Sequence, residues 1–174
     1  MNKPALELFA DSCAPEGGRV FGDVRAFEHA QHGLSFTIPG DPVGKERAKI
    51  ARFGKYVKMY TPDKTLTYEQ VVRFHALEVW EKMGIPLLDS VPITIVVDCF
   101  LSVPKSWSKK KQALALAGRV RPVTKPDWDN LGKIVSDALN QVIYRDDSAI
   151  WCATVIKRYD AYPRTQVTLT WTDA

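Results

Sequence analysis

Apolar and polar residues alternate over Leu34-Ser35-Phe36-Thr37-Ile38, which predicts a short half-buried strand that Pro39-Gly40 stops. A polar, basic stretch from Asp41 to Pro62 follows. Phe53, Tyr56 and Tyr60 are spaced through it without a clear period, so it reads as a long loop or irregular ribbon. The rhythm then becomes helical. Val71, Val72, Phe74, Leu77, Val79 and Trp80 recur at roughly helical spacing, Thr67 with Gln70 fits a capping box, and Gly84 fits the stop. Ile93 to Val103 is rich in β-branched residues and predicts a central strand ended by Pro104.

Lys105 to Ala117 reads as a short basic helix, alone or after a loop. Pro122 and Pro126 hold Arg121 to Trp128 extended. Asn130 to Leu139 predicts a helix with Leu131, Ile134 and Ala138 as its buried stripe. Ala149 to Arg158 and Thr165 to Trp171 predict two strands, read as a hairpin joined through Asp160-Ala161-Tyr162-Pro163. The order β, loop, α, β, α, α, β, β predicts an α/β (α+β) domain, a small mixed sheet with helices packed against it. Residues 1–32 contain a breaker, Ala14-Pro15-Glu16-Gly17-Gly18. They are expected to be a flexible N-terminal extension, or a segment that orders on a partner, with the folded domain spanning 33–174.

Charge sharpens that division. Residues 1–32 hold three basic and five acidic side chains, whereas 33–174 hold 21 and 15. The folded body is therefore the basic part, which weakly favours a polyanionic partner. No run is long and apolar enough to predict a membrane span, and no signal peptide is visible. Cys13, Cys99 and Cys152 lack metal-ligand spacing and read as reduced thiols of a cytoplasmic protein, with Cys99 and Cys152 expected in core packing. The histidines are His29, His32 and His75, and no Ser-His-Asp or Cys-His constellation is apparent. No phosphate-cradling glycine loop is present, so no nucleotide cofactor is expected.

Against this basic background, Asp127, Asp129, Asp137, Asp146 and Asp147 fall within 21 residues. In an extended segment Asp127 and Asp129 share one side, with Trp128 opposite. Their mutual repulsion is relieved by a hard cation, which takes oxygen ligands. Asp129 alone could instead cap the following helix. Asp146-Asp147-Ser148 is good turn material, and only one of the two acids is expected to reach a metal. Asp129, Lys133 and Asp137 are spaced by four, so they form either a surface ion-pair ladder or a face that brings Lys133 beside a phosphate. Asp137 reads as structural. Asn130 can bridge backbone groups or touch a metal-bound water. Phosphodiester hydrolysis with magnesium, or manganese as a substitute, suits this set.

The densest positive runs are Gly44-Lys45-Glu46-Arg47-Ala48-Lys49 and Lys105-Ser106-Trp107-Ser108-Lys109-Lys110-Lys111. Lys45, Arg47, Lys105, Lys109, Lys110 and Lys125 are candidate phosphate grips; the plain alternative is a solvated face. Trp107 can be a wedge at an opened base pair or a packing residue.

In combination these motifs resemble the RusA-like endodeoxyribonucleases, Holliday-junction resolvases of phage and prophage type. The strongest resemblance is Lys125-Pro126-Asp127-Trp128-Asp129-Asn130-Leu131-Gly132-Lys133, then Asp137-Ala138-Leu139-Asn140 and Tyr144-Arg145-Asp146-Asp147. Ile38-Pro39-Gly40-Asp41-Pro42-Val43-Gly44-Lys45-Glu46-Arg47, Tyr60 to Thr65 and Val103 to Lys110 extend it, so that it covers about residues 34–170. The resemblance implies a homodimer making paired magnesium-dependent nicks in four-way DNA junctions. It implies catalytic and metal roles for Asp127, Asp129 and Asp147, an essential lysine at Lys133, and support from Asp146. It also implies DNA or dimer-surface roles for Lys45 and Arg47, and a DNA channel near Val120 to Pro126. Two rival readings remain at this stage. One is a nuclease for flaps, forks or other branches; the other is a non-catalytic branched-DNA-binding protein of recombination.

Overall fold

The computed structural model describes residues 32–53 and 56–172. The predicted extension, with Cys13 and His29, lies outside the described residues except for His32, which begins the first strand. In chain order the elements are β1 (His32–Pro39), β2 (Lys49–Phe53), β3 (Tyr56–Tyr60), α1 (Asp63–Met83), β4 (Ile93–Ser102), α2 (Lys109–Leu116), α3 (Trp128–Leu139), a 3₁₀ turn (Asp147–Ala149), β5 (Ile150–Asp160) and β6 (Arg164–Trp171).

Four strands form one sheet in the order β1-β6-β4-β5. Strand β4 runs parallel to β5 and antiparallel to β6, and β1 runs antiparallel to β6. The sheet is therefore mixed, as expected. The expected β5–β6 hairpin does not form, because β4 lies between the two strands. Ile93 to Val97 are all buried, on both faces of the sheet, so β4 takes the centre and needs a neighbour on each side. Residues 161–163 cross its end. There Asp41 Oδ1 accepts hydrogen bonds from the Ser102 N–H and hydroxyl, at 3.1 and 2.6 Å, and the Gly40 N–H donates to the Pro163 carbonyl at 3.0 Å.

Helices α1 and α3 join the sheet in a single core. Leu34, Phe36 and Ile38 of β1 point into it, as their alternation predicts. Tyr68, Val72, Ala76 and Trp80 supply the α1 stripe, and Leu131, Ile134, Val135, Ala138 and Leu139 the α3 stripe. The α3 stripe faces inward over its whole length. Gly132 makes this possible: a Cβ there would stand 2.9 Å from Val155 Cγ2 on β5.

Two boundaries differ from the sequence pattern. Helix α1 starts at Asp63, one turn before the expected Thr67 cap, with Pro62 at the N-cap. Thr65, buried in that added turn, accepts a hydrogen bond from the Glu46 N–H at 3.3 Å, so the turn is tied to the preceding loop. The expected irregular segment after Asp41 contains β2 and β3, a two-stranded antiparallel ribbon separate from the main sheet. Ile50, Val57 and Met59 are exposed on it, so among the described side chains no buried face marks the strands. Gly84 ends α1 as predicted, in the left-handed conformation with φ 64°. Among the described residues, no helix is long and apolar enough to cross a membrane.

Two outcomes follow for stability. Gly132→Ala should gain about 1 kcal/mol of helix propensity, but the clash with the stiff Val155 side chain costs about 1–3 kcal/mol. Thermal unfolding should therefore show a lower Tm. Burial pushes the Cys99 thiol from 9.0 up to about 12 and the Tyr68 phenol from 10.0 up to about 12. Above pH 9 the unfolded chain releases protons that the folded one retains. The stabilisation is complete below the unfolded values and is lost as pH rises toward the folded ones, by about 1.4 kcal/mol per pH unit for each group. Urea unfolding at pH 8 to 11 should show this decline, and Cys99→Ala should move its onset up by about one pH unit.

Candidate active site

Two ends of α3 carry the acids. Asp127 occupies the N-cap position with an extended backbone, yet its side chain makes no capping hydrogen bond. Asp129 lies in the first turn and is exposed. Both sit at the positive end of the helix dipole, which eases the cost of placing two carboxylates together. They line an open cleft of about 580 Å³ with Pro122, Val123, Thr124, Trp128 and Lys157.

Trp128 was expected on the side opposite the two acids, and the structure corrects this. The helix begins at Trp128, so strand-like alternation fails there, and the indole lines the same cleft. Lys157 of β5 closes the cleft's back. Its ammonium donates to the carbonyls of Thr124 and Pro126, at 2.6 and 2.7 Å, and so holds the 122–126 segment in place. Nothing in the sequence pattern singles out Lys157, because its partners are backbone oxygens 31 and 33 residues away.

The other acids gather toward the C-terminal half of α3. Tyr144 is fully buried and its hydroxyl donates to the Ser136 carbonyl at 3.0 Å. Burial, and then the nearby charges of Asp147, Asp137 and Asp146, hold its phenol far above the usual range. Asp146 behaves as turn material: its Oδ1 accepts from the Ser148 N–H at 2.9 Å, and the Ser148 hydroxyl, then that N–H, hold its carboxyl below the usual value. Asp147 opens the 3₁₀ turn, half-exposed.

Lys133 and Asp137 pair across one helical turn at 3.7 Å, with the lysine side chain mostly exposed. Asp137 is also the partner of Lys45, whose ammonium in addition meets Glu69 Oε1 of α1 at 2.9 Å. Lys45 is thus the centre of an internal ion-pair triad that joins the first loop, α1 and α3. That placement differs from the phosphate grip expected of it. Burial alone would lower its pKa, but the Asp137 and Glu69 carboxylates outweigh burial and hold it above the usual lysine value. The Lys45 backbone N–H also donates to the Asn130 carbonyl at 2.9 Å, which ties the start of α3 to the first loop.

Arg47, Lys105, Lys109, Lys110 and Lys125 are all exposed. Trp107 is half-buried, edge-on to Tyr159 at 5.3 Å and covered by the Lys111 ammonium at 3.7 Å; this is a packing environment.

Among the described residues, no group of three or more histidine, cysteine, aspartate or glutamate side chains is close enough to hold a metal ion. Asp127 and Asp129 nevertheless fit magnesium by donor type and number. Magnesium keeps several waters and commonly takes only one or two carboxylates, the remainder coming from substrate phosphate.

Two carboxylates at a helix start, open to one cleft of a basic mixed α+β domain, make a candidate metal site. The family model described as endodeoxyribonuclease RusA matches residues 39–170, and the chain belongs to that family. It is also 40% identical over 138 residues to the uncharacterized protein YqaN of Bacillus subtilis (strain 168), covering 77% of this chain and 93% of that one.

The triad gives a test of what Lys45 does. Lys45→Met leaves Glu69 without its cation and Asp137 with only the looser Lys133 contact, and should cost about 1–3 kcal/mol, less than a fully buried pair because each side chain stays about a quarter exposed. Thermal melts should show that loss, whereas Arg47→Ala, on an exposed side chain, should leave Tm unchanged.

Proposed function

We propose that the chain is a magnesium-dependent endodeoxyribonuclease that resolves four-way DNA junctions by paired phosphodiester hydrolysis. The observation that carries this reading is the pair Asp127 and Asp129, uncommitted and sharing one cleft at the N-terminus of α3, in a RusA-family domain. Asp127 and Asp129 would hold the metal, and Asp147, which does not line their cleft, would be drawn in as a further ligand when the metal binds. Manganese can substitute. When bound, magnesium supplies Lewis acidity and a water of lowered pKa.

The chain's own groups do the rest. Lys133, exposed and only loosely paired with Asp137, turns its ammonium toward the negative charge developing on the phosphate. Asp146 fixes the turn that presents Asp147. Asn130 ties the start of α3 to the first loop. Arg47, Lys105, Lys109, Lys110 and Lys125 hold backbone phosphates without reading sequence. Two coordinated cuts in a junction of two-fold character require two equivalent sites, hence a homodimer acting in the cytoplasm.

One observation favours the non-catalytic alternative. Asp147 is not among the residues lining the cleft of Asp127 and Asp129, and no group of three acids forms among the described residues. Cleavage of a mobile four-way junction in magnesium separates the readings. Wild type should make symmetric paired nicks, and Asp129→Asn should bind the junction but cut it about 100- to 1000-fold more slowly. Junction binding with no cut by wild type, in magnesium or manganese, would establish the non-catalytic binder. Single nicks on flaps or forks in preference to junctions would establish the broader branch nuclease.

A further inference from the structure

Tryptophan is a residue that folding usually hides. Trp128 is 67% exposed and stands between the two acids, and Val123, on the same cleft, is 91% exposed. The cleft thus carries apolar groups beside carboxylates. Neither part is left over from packing. Trp128 is mounted on the first turn of α3, which Gly132 seats against Val155, and Val123 is carried by the segment that Lys157 pins at Thr124 and Pro126. Both apolar groups are therefore held by rigid parts of the fold.

A nucleotide can meet both parts, its flat apolar base against Trp128 and Val123 and its phosphate over the carboxylates through the cation they would hold. The indole face can stack on a base of any identity, whereas a polar side chain here would have to read a base edge. On the basis of the nuclease reading above, we propose that Trp128 is a positioning residue that stacks on the base next to the scissile phosphate, with Val123 closing over the base from the facing wall. Stacking would fix the sugar–phosphate link over Asp127 and Asp129 without imposing a strict sequence requirement. It also makes the nucleotide beside the cut, more than its distant neighbours, the place where cleavage preference is set.

Wild type first maps the cut in a four-way junction. 2-Aminopurine then replaces the base on either side of that cut, and binding is followed by its fluorescence in the Asp129→Asn background, where the strand stays intact. Binding should quench the probe on one side of the cut. Adding Trp128→Ala should abolish the quenching, and adding Trp128→Phe should preserve it. In the active enzyme, Trp128→Ala should lower kcat/KM by about 5- to 150-fold, with Trp128→Phe close to wild type. Because the side chain is exposed, the Tm of both variants should stay unchanged.

The proposal is overturned if the alanine and phenylalanine variants behave alike in fluorescence and cleavage. It is also overturned if cleavage falls while the quenching persists, or if Trp128→Ala dissociates a dimer, which would make the indole a contact between copies. If wild type cuts no branched DNA, the nuclease reading fails and the role of Trp128 falls with it. Normal cutting by both wild type and Trp128→Ala removes the Trp128 role alone.

Discussion

The seating of α3 is the constraint on which the rest depends. The helix is pinned at several points along its length. Gly132 lets it lie directly on Val155, and the first loop clasps its start, where a Cβ on Gly44 would come within 3.0 Å of Pro126 Cβ and 3.3 Å of Asn130 Cβ. Farther along, the Lys45 triad ties Asp137 to Glu69 on α1. Buried apolar residues hold the inner face throughout. With the helix fixed in this way, its N-terminus can present two carboxylates and an indole to solvent in a set geometry, which is the condition for a site to act on a ligand without reorganising first.

The electrostatics show where local stability has been set against another requirement. Acids at the start of α3 suit the helix dipole. Helix α2 does the reverse: Lys109, Lys110 and Lys111 crowd its N-terminal turn, where positive charge opposes the dipole. Ser108 accepts a hydrogen bond from the Lys111 N–H, and the Lys111 ammonium lies over Trp107, which offsets part of that cost. Basic side chains kept in an unfavourable place accord with a polyanion as the partner of this surface.

Most of the sheet and helices was legible because each has a buried face with its own period. Leu34, Phe36 and Ile38 declare β1, and Leu131, Ile134 and Ala138 declare α3. The described side chains of the β2–β3 ribbon are exposed, so no buried period marked it and the segment read as an irregular ribbon. Strand neighbours were harder still. Closeness in sequence favours pairing β5 with β6, and only the two-sided burial of β4 argues that it belongs between them. In the site, the acid pair was visible from spacing. The turn that brings Trp128 to the same cleft depended on the helix starting one residue after Asp127, a boundary that spacing does not resolve. Lys45 looked like one more surface cation because its two partners come from helices 24 and 92 residues farther along the chain.

The insertion of β4 between β5 and β6 has a consequence for how the protein is made. On the ribosome, β1 emerges before its partner in the sheet, β6, which comes last in chain order among the described strands. Until Arg164 to Trp171 is out, β1 has no ladder to join and one edge of β4 is bare. A nascent chain can hold the acid-bearing helix before then, but not the closed sheet that seats it. The seat of the acid-bearing helix is therefore complete only once β6 is out, and a chain truncated before that strand is left with an unpaired sheet edge and no rigid platform for the candidate site.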